Sequence, residues 1–130
     1  MATDYTDGPI SAPFASTGIR QFRGVVIGAS GITLPTAGQP ITGVLISSGT
    51  TGSTDATGKV GTIQIAGVAK MEAEASTAVK AGALVVASSV GHASTGTGSR
   101  IGRVVSGSSG AVNRIVSVHL QPLGSTAALT

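Results

Sequence analysis

Two carboxylates form the closest approach to a catalytic or metal-binding arrangement in this chain. Glu72 and Glu74 stand two residues apart in the stretch AKMEAEA, so on a β-strand both side chains point to the same side. Paired carboxylates can exchange protons with a substrate or bind a hard cation. Lys70 lies on that same side, however, which favours a solvated charged stripe or a salt bridge between subunits.

The other residue types that carry chemistry stand alone. Cysteine is absent, and neither His92 nor His119 has a second ligand at metal-site spacing. No G-x-x-x-x-G-K-[ST] loop or G-x-S-x-G elbow occurs, and the glycines of GTGSRIG have the wrong spacing for a dinucleotide fingerprint. We therefore expect a protein that is not an enzyme and has no catalytic residues, cofactor or metal.

The surroundings of Lys70 resemble those of the modified lysine in biotin-carrying domains. The stretch AKME is similar to the Met-Lys-Met turn of that family, and AVKAGALVV to the turn and strand that follow it. In that family the lysine lies at an exposed hairpin tip between two methionines. Here Ala69 precedes Lys70, and the lysine lies within an alternating strand, so we do not expect biotin on Lys70.

The composition is that of a protein with an unusually neutral surface. Charged residues make up 10% of the chain and aromatic residues 2%, while 41% are hydrophobic and 20 of the 130 are glycine. Ordinary globular chains carry roughly 25% charged residues. A surface with so few charges repels other molecules only weakly, so an isolated copy of the chain would tend to associate. We therefore infer that partners cover part of the surface. The sequence therefore favours an assembly protein.

The net charge of +3 is the excess of eight basic residues, which are scattered without a run, over five acidic ones. A nucleic-acid surface concentrates its charge, so we expect no nucleic-acid partner; the alternatives are a solvated surface and an acidic protein partner. No apolar run reaches the roughly 18 residues of a membrane-spanning helix, and the N-terminus lacks the apolar region of a signal peptide. We therefore expect no membrane association.

The chain divides into three parts. Residues 1–18 contain two prolines and no periodicity, which predicts an extended N-terminal arm that carries the aromatic residues Tyr5 and Phe14. Residues 19–122 carry the strand patterns and form the predicted β domain, and residues 123–130 form a C-terminal tail. Aromatic side chains on an irregular arm suggest that the arm packs against another protein surface. The alternative is a flexible terminus whose aromatic residues are incidental.

Period-two alternation predicts the strands. IRQFRGVVI at 19–27 begins as one, with Arg20 and Phe22 on one face and Gln21 and Arg23 on the other. Further strands are predicted at 42–47, in ALVVAS, and over 60–76, where Gly67 interrupts the alternation. The stretch 101–120 predicts a hairpin with SGSSGA at its tip and with Val104, Val105, Val116, Val118 and Leu120 in the body.

Six to eight short strands separated by turn signals predict an all-β fold, either a sandwich or a small barrel. A barrel is favoured because open edges on a chain with so few charges promote aggregation.

Four segments from Gln39 onward follow one another in a characteristic order: GVL, IQIAGVAKMEAEA, VKAGALVVAS and IGRVVSGSSGAVNRIVSVHLQP. In this order they resemble the small capsid decoration, or cement, proteins of tailed double-stranded DNA bacteriophages, over about residues 39–122. The resemblance implies a compact β-barrel-like domain, a homotrimer in many members. It also implies a structural virion protein on the capsid exterior that bridges major capsid protein subunits, present in the host cytoplasm before assembly.

The resemblance assigns no contact residues, so we predict them from the residue types. Tyr5 and Phe14 of the arm, with Arg20, Phe22 and Arg23 of the first strand, are expected to contact the capsid or a neighbouring subunit. Phe22 is as well explained as a core residue. The alternative function is another virion or surface β-domain, such as a head-fibre or tail component.

Overall fold

This computed structural model describes residues 9–16, 18–47, 59–74, 78–107 and 114–120. The regular secondary structure within these ranges consists of β-strands. They are β1 (Ile10–Pro13), β2 (Gly24–Gly28), β3 (Gly31–Thr33), β4 (Gly43–Leu45), β5 (Val60–Gln64), β6 (Val68–Ala73), β7 (Leu84–Ala87), β8 (Ala93–Ser94), β9 (Gly102–Ser106) and β10 (Arg114–Leu120). The predicted all-β fold is confirmed. The ten strands exceed the predicted six to eight because β1, β3 and β8 are too short, at four, three and two residues, to show alternation. No helix in these ranges is long and apolar enough to span a membrane.

Strands β6 to β10 close into a barrel in the order β10-β6-β8-β7-β9, as the sequence favoured. β10 is antiparallel to both β6 and β9, whereas β6 and β8 are parallel and joined at Ala73 and Ala93. The barrel interior is filled mainly by small and branched aliphatic side chains, and Met71 lies fully buried among them. Closure leaves none of these strands with an open edge.

Strands β1 to β5 form a second sheet in the order β1-β5-β4-β2-β3. This sheet curls until its two edges meet, because Phe14, just after β1, forms a parallel bridge with Ile32 of β3. The amide of Ala15 also donates to the carbonyl of Ile32 at 2.9 Å. The curled sheet encloses its own cluster of larger side chains, which comprises Phe14, Ile19, Val25, Ile32, Leu45 and Ile63.

Part of the segment expected to be an extended arm belongs to this curled sheet. β1 pairs antiparallel with β5 from Ile10 opposite Ile63 to Pro13 opposite Val60, and the side chain of Phe14 is only 7% exposed. Residues 1–8, with Tyr5, and the tail at 123–130 lie outside the described residues. Pro13 and the small residues around it hide β1 from a periodicity analysis, because they interrupt any apolar alternation.

β4 lies between the two hydrophobic clusters. Its three residues are all buried, with Val44 in the barrel cluster and its neighbour Leu45 in the cluster of the curled sheet. Successive side chains of a strand point to opposite faces, so one short strand contributes to both interiors.

The predicted strand over 19–27 is wrong in its first half. Gln21 and Phe22 form a turn, Phe22 has a positive φ of 68°, and β2 begins only at Gly24. In this conformation the amide of Phe22 donates to the carbonyl of Leu45 at 2.7 Å, and its carbonyl accepts from the amide of Glu72 at 2.8 Å. The left-handed backbone, uncommon for a non-glycine residue, thus lets Phe22 join the curled sheet to the barrel.

The strand patterns after Gly67 are confirmed. Gly67 has a φ of 81° and separates β5 from β6, so the chain passes from the curled sheet to the barrel at the point where the alternation changes phase. In β6, Ala69, Met71 and Ala73 face inward and are buried.

The hairpin predicted over 101–120 is formed by β9 and β10, although residues 108–113 of its tip lie outside the described ranges. Val104, Val116, Val118 and Leu120 are buried as predicted. Val105 was also expected in the body but is 46% exposed, because it directly follows the inward-facing Val104 and so points to the outer side of β9.

Candidate functional site

The five residues predicted to contact a partner occupy different environments. Tyr5 lies outside the described residues. Phe14 and Arg23 are each 7% exposed, so their side chains are used inside the molecule. Phe22 is half-buried and Arg20 is exposed. The structure therefore brings Arg20 and Arg23 together near the turn at Phe22, and it separates them from Phe14, which lies in the core of the curled sheet.

Arg20 and Arg23 converge on the carboxylate of Glu72. The Nε of Arg23 donates to Oε1 of Glu72 at 2.6 Å, and the Nη2 of Arg20 donates to Oε2 at 3.1 Å. The side chains of Arg23 and Glu72 are both 8% exposed, while that of Arg20 is 56% exposed. Arg23 also donates from Nη1 to the carbonyl of Val90 at 2.7 Å. We call Arg20, Arg23 and Glu72 the ion cluster; it connects the turn before β2, strand β6 and the loop between β7 and β8.

The turn at Phe22 explains how the ion cluster forms. On a regular strand Arg23 would point to the face opposite Phe22, together with Gln21. The positive φ at Phe22 redirects the chain, so that Arg23 turns inward against β6. Glu72 then lies on the outer side of the barrel but is covered by the segment that carries both arginines.

The ion cluster keeps Glu72 ionised. Burial alone raises the pKa of the Glu72 carboxyl, but the hydrogen bonds and positive charges of Arg23 and Arg20 outweigh burial and lower the pKa below its ordinary value of 4.5. Both oxygens accept a hydrogen bond from an arginine. Such a carboxylate is suited to holding segments together and poorly suited to delivering a proton.

The expectation of a solvated stripe or an inter-subunit salt bridge is therefore wrong for Glu72, whose ion pairs lie within the chain. Glu74 is half-buried and its Oε2 accepts a hydrogen bond from Ser94 at 2.8 Å. Lys70 is exposed in the middle of β6, opposite Ser117 of β10, and thus does not lie at the hairpin tip that a biotin-carrying lysine occupies.

The two histidines lie apart. His92 is 8% exposed, in the turn between β7 and β8, where its amide donates to the Ser88 hydroxyl at 3.0 Å. His119 is exposed on β10. Within the ranges that the structure describes, no three His, Cys, Asp or Glu side chains are grouped so that they could hold a metal ion.

Two functional features escaped the sequence analysis. The first is the ion cluster, whose members Arg23 and Glu72 lie 49 residues apart, so that no local spacing could pair them. The second is a set of exposed aliphatic side chains on the outside of the barrel. Val68 is 54% exposed and Ile115 is 38% exposed. The period-two alternation of β6 and β10 places Val68 and Ile115 on the outer side of the barrel, so the sequence did contain a signal for this feature.

Comparison with known proteins identifies a family for this chain. No curated protein and no solved structure matches the chain. The family described as phage cement protein matches residues 6–120. This range contains all ten described strands, and hence both the curled sheet and the barrel. The chain belongs to the phage cement protein family.

Proposed function

We propose that this protein binds the outer surface of an assembled phage capsid and stabilises the shell by bridging neighbouring major capsid protein subunits. The single observation that carries the proposal is the family match over residues 6–120, which supports a capsid-stabilising structural protein located in the virion. The fold agrees with such a role. Its described part is a closed barrel joined to a curled sheet, and its most buried charges are paired with each other.

The stabilisation follows from mass action. A protein that binds the assembled shell more tightly than free subunits raises the free energy of disassembly by the binding free energy of each copy. The symmetry of a shell repeats each site many times, so individually weak contacts add up over the lattice. We further propose that the protein is made in the host cytoplasm and associates as a homotrimer on the shell.

The proposal is tested by mixing the purified protein with undecorated shells of the phage that encodes it. We expect co-sedimentation with the shells, density on their exterior by electron cryomicroscopy, and a higher melting temperature of the shell. Protein found on tails or fibres and absent from shells would contradict the proposal and favour the alternative of a head-fibre or tail component.

The segment before β1 provides a second test. Removal of residues 2–18 would remove β1 and Phe14 from the curled sheet, so it cannot separate folding from binding. Removal of residues 2–8 keeps β1 and takes away Tyr5. We expect this shorter deletion to melt like the wild type and to bind shells at least about tenfold more weakly, as expected when an aromatic contact is lost. Wild-type binding by the deletion variant would eliminate Tyr5 as a contact.

A further inference from the structure

Side chains on the outside of the barrel form a continuous row across four strands. Val68 of β6 lies opposite His119 of β10, His119 lies opposite Arg103 of β9, and Arg103 lies opposite Leu84 of β7. Directly paired residues of neighbouring strands project from the same side of a sheet, close enough to form one surface. We call this surface the barrel face; it comprises Val68, Lys70, Leu84, Arg103, Ile115, Ser117 and His119.

The barrel face exposes much of the aliphatic surface of the described residues. Val68 is 54% exposed, Leu84 37% and Ile115 38%. Val105, two residues after Arg103 on β9, also lies on the outside of the barrel and is 46% exposed. Three members of the barrel face and the neighbouring Val105 thus account for four of the seven large hydrophobic residues found exposed in the described ranges. A cluster of this kind is typical of an interaction surface.

The charges of the barrel face are all of one sign. Lys70 and Arg103 are the charged residues of this face, and both are exposed. The carboxylates in the described ranges are Glu72 and Glu74. Glu72 is neutralised in the ion cluster, and the half-buried Glu74 accepts a hydrogen bond from Ser94. No described carboxylate of this chain is therefore exposed to balance Lys70 and Arg103.

We propose that the barrel face is the surface by which this protein docks onto an acidic protein surface that also presents apolar side chains. The inference rests on the proposed function, so the partner is the exterior of the capsid shell. The aliphatic side chains supply the area removed from water, and the two cations select a partner of opposite charge. A nucleic acid fits less well, because a polyanion is bound by concentrated cations and not by a patch in which aliphatic side chains predominate.

Two matched double variants test the proposal. V68E/K70E changes the barrel face, and V60E/K59E changes the outer side of the curled sheet, where Val60 is 60% exposed and Lys59 is exposed. Each variant replaces one exposed valine and one exposed lysine with glutamate, so both shift the net charge equally. The full-length proteins are titrated against undecorated shells at two salt concentrations, and their melting temperatures are compared with the wild type.

We expect V68E/K70E to bind shells at least about 100-fold more weakly than the wild type, because two contacts of about 1.4 kcal/mol or more each correspond to that factor. V60E/K59E should bind within about threefold of the wild type, in the range of neutral surface positions. Wild-type binding should weaken as salt is added, since opposite charges attract less strongly when screened.

The other outcomes overturn the inference in distinguishable ways. Equal binding by the wild type and V68E/K70E overturns the barrel face and leaves the proposed function standing. Absence of wild-type binding to shells overturns both. Loss of self-association by V68E/K70E in analytical ultracentrifugation, with unchanged shell affinity, assigns the face to a second copy of the chain. Binding of wild-type protein to a duplex oligonucleotide that V68E/K70E loses, again with unchanged shell affinity, assigns it to nucleic acid.

Discussion

The barrel and the curled sheet are closed by different means. In the barrel, each strand is paired through its backbone with a neighbour on either side, and the ring is completed where β9 meets β10. In the curled sheet, the edges meet at the bridge between Phe14 and Ile32, and large side chains fill the space between them. The barrel thus combines strand pairing on both edges with the larger hydrophobic cluster, whereas the edges of the curled sheet are joined at a bridge beside a smaller cluster, to which Phe14 contributes from near the N-terminus. We expect the curled sheet to open first.

Truncation of Phe14 should cause the largest loss of stability, and it should affect the curled sheet more than the barrel. Phe14→Ala removes a ring that packs beside Ile32 and close to Gly61, where an added Cβ would lie 2.7 Å from the ring. We expect the free energy of unfolding to fall by about 4 kcal/mol, as is typical for a large buried aromatic side chain. Chemical denaturation measures the loss.

Hydrogen exchange on the same variant locates that loss. Backbone amides of β1 and β5 should exchange faster than in the wild type, while those of β9 and β10 keep their protection, because cooperative units of a protein can open separately. Equal loss of protection in β10 would contradict the comparison and make the barrel and the curled sheet one cooperative unit.

Removal of the Glu72 carboxylate should have the next largest effect, because it breaks one of the contacts that connect the two regions. Glu72→Ala leaves the buried Arg23 without its ion partner, and we expect a loss of about 3 kcal/mol by chemical denaturation. Glu74→Ala is the matched control, since it removes a half-buried carboxylate that accepts a hydrogen bond from Ser94, and we expect a loss of about 1 kcal/mol. Equal losses in the two variants would eliminate the ion cluster as a special link.

Lowering the pH should produce the smallest change in stability, through protonation of Glu72. The folded-state pKa of Glu72 lies below 4.5, so the ion cluster contributes fully above that pH, and its contribution falls as the pH drops through the folded-state value. The stability difference between the wild type and Glu72→Gln should therefore be constant near neutral pH and shrink below about pH 4.5. Denaturation curves along a pH series measure it. A difference that grows toward acid pH would show that the pKa of Glu72 is raised in the fold.

The sequence predicts the barrel better than the curled sheet, for a physical reason. Strands β6 and β10 each bury one side and expose the other, so the period of two is visible in Met71 and Val116 and in their neighbours. β4 falls within the strand predicted at 42–47, but it is buried on both sides, so no alternation shows which side chain enters which cluster. β1 is interrupted by Pro13 and was not predicted. The ion cluster is beyond any local pattern, because it follows from the positive φ of Phe22 and from contacts between distant segments.

β4 contributes side chains to the hydrophobic clusters of both the barrel and the curled sheet, and this affects how these two halves of the protein are aligned. A slip of β4 by one residue would exchange the faces of Val44 and Leu45. The larger leucine would then overpack the barrel interior at the place that Val44 fills, and the smaller valine would leave a void in the cluster of Phe14 and Ile63. Because Val44 and Leu45 differ in size, each fits only one of the two hydrophobic clusters, and β4 can therefore pack in one register only. Three residues thereby set the offset between the two halves of the protein.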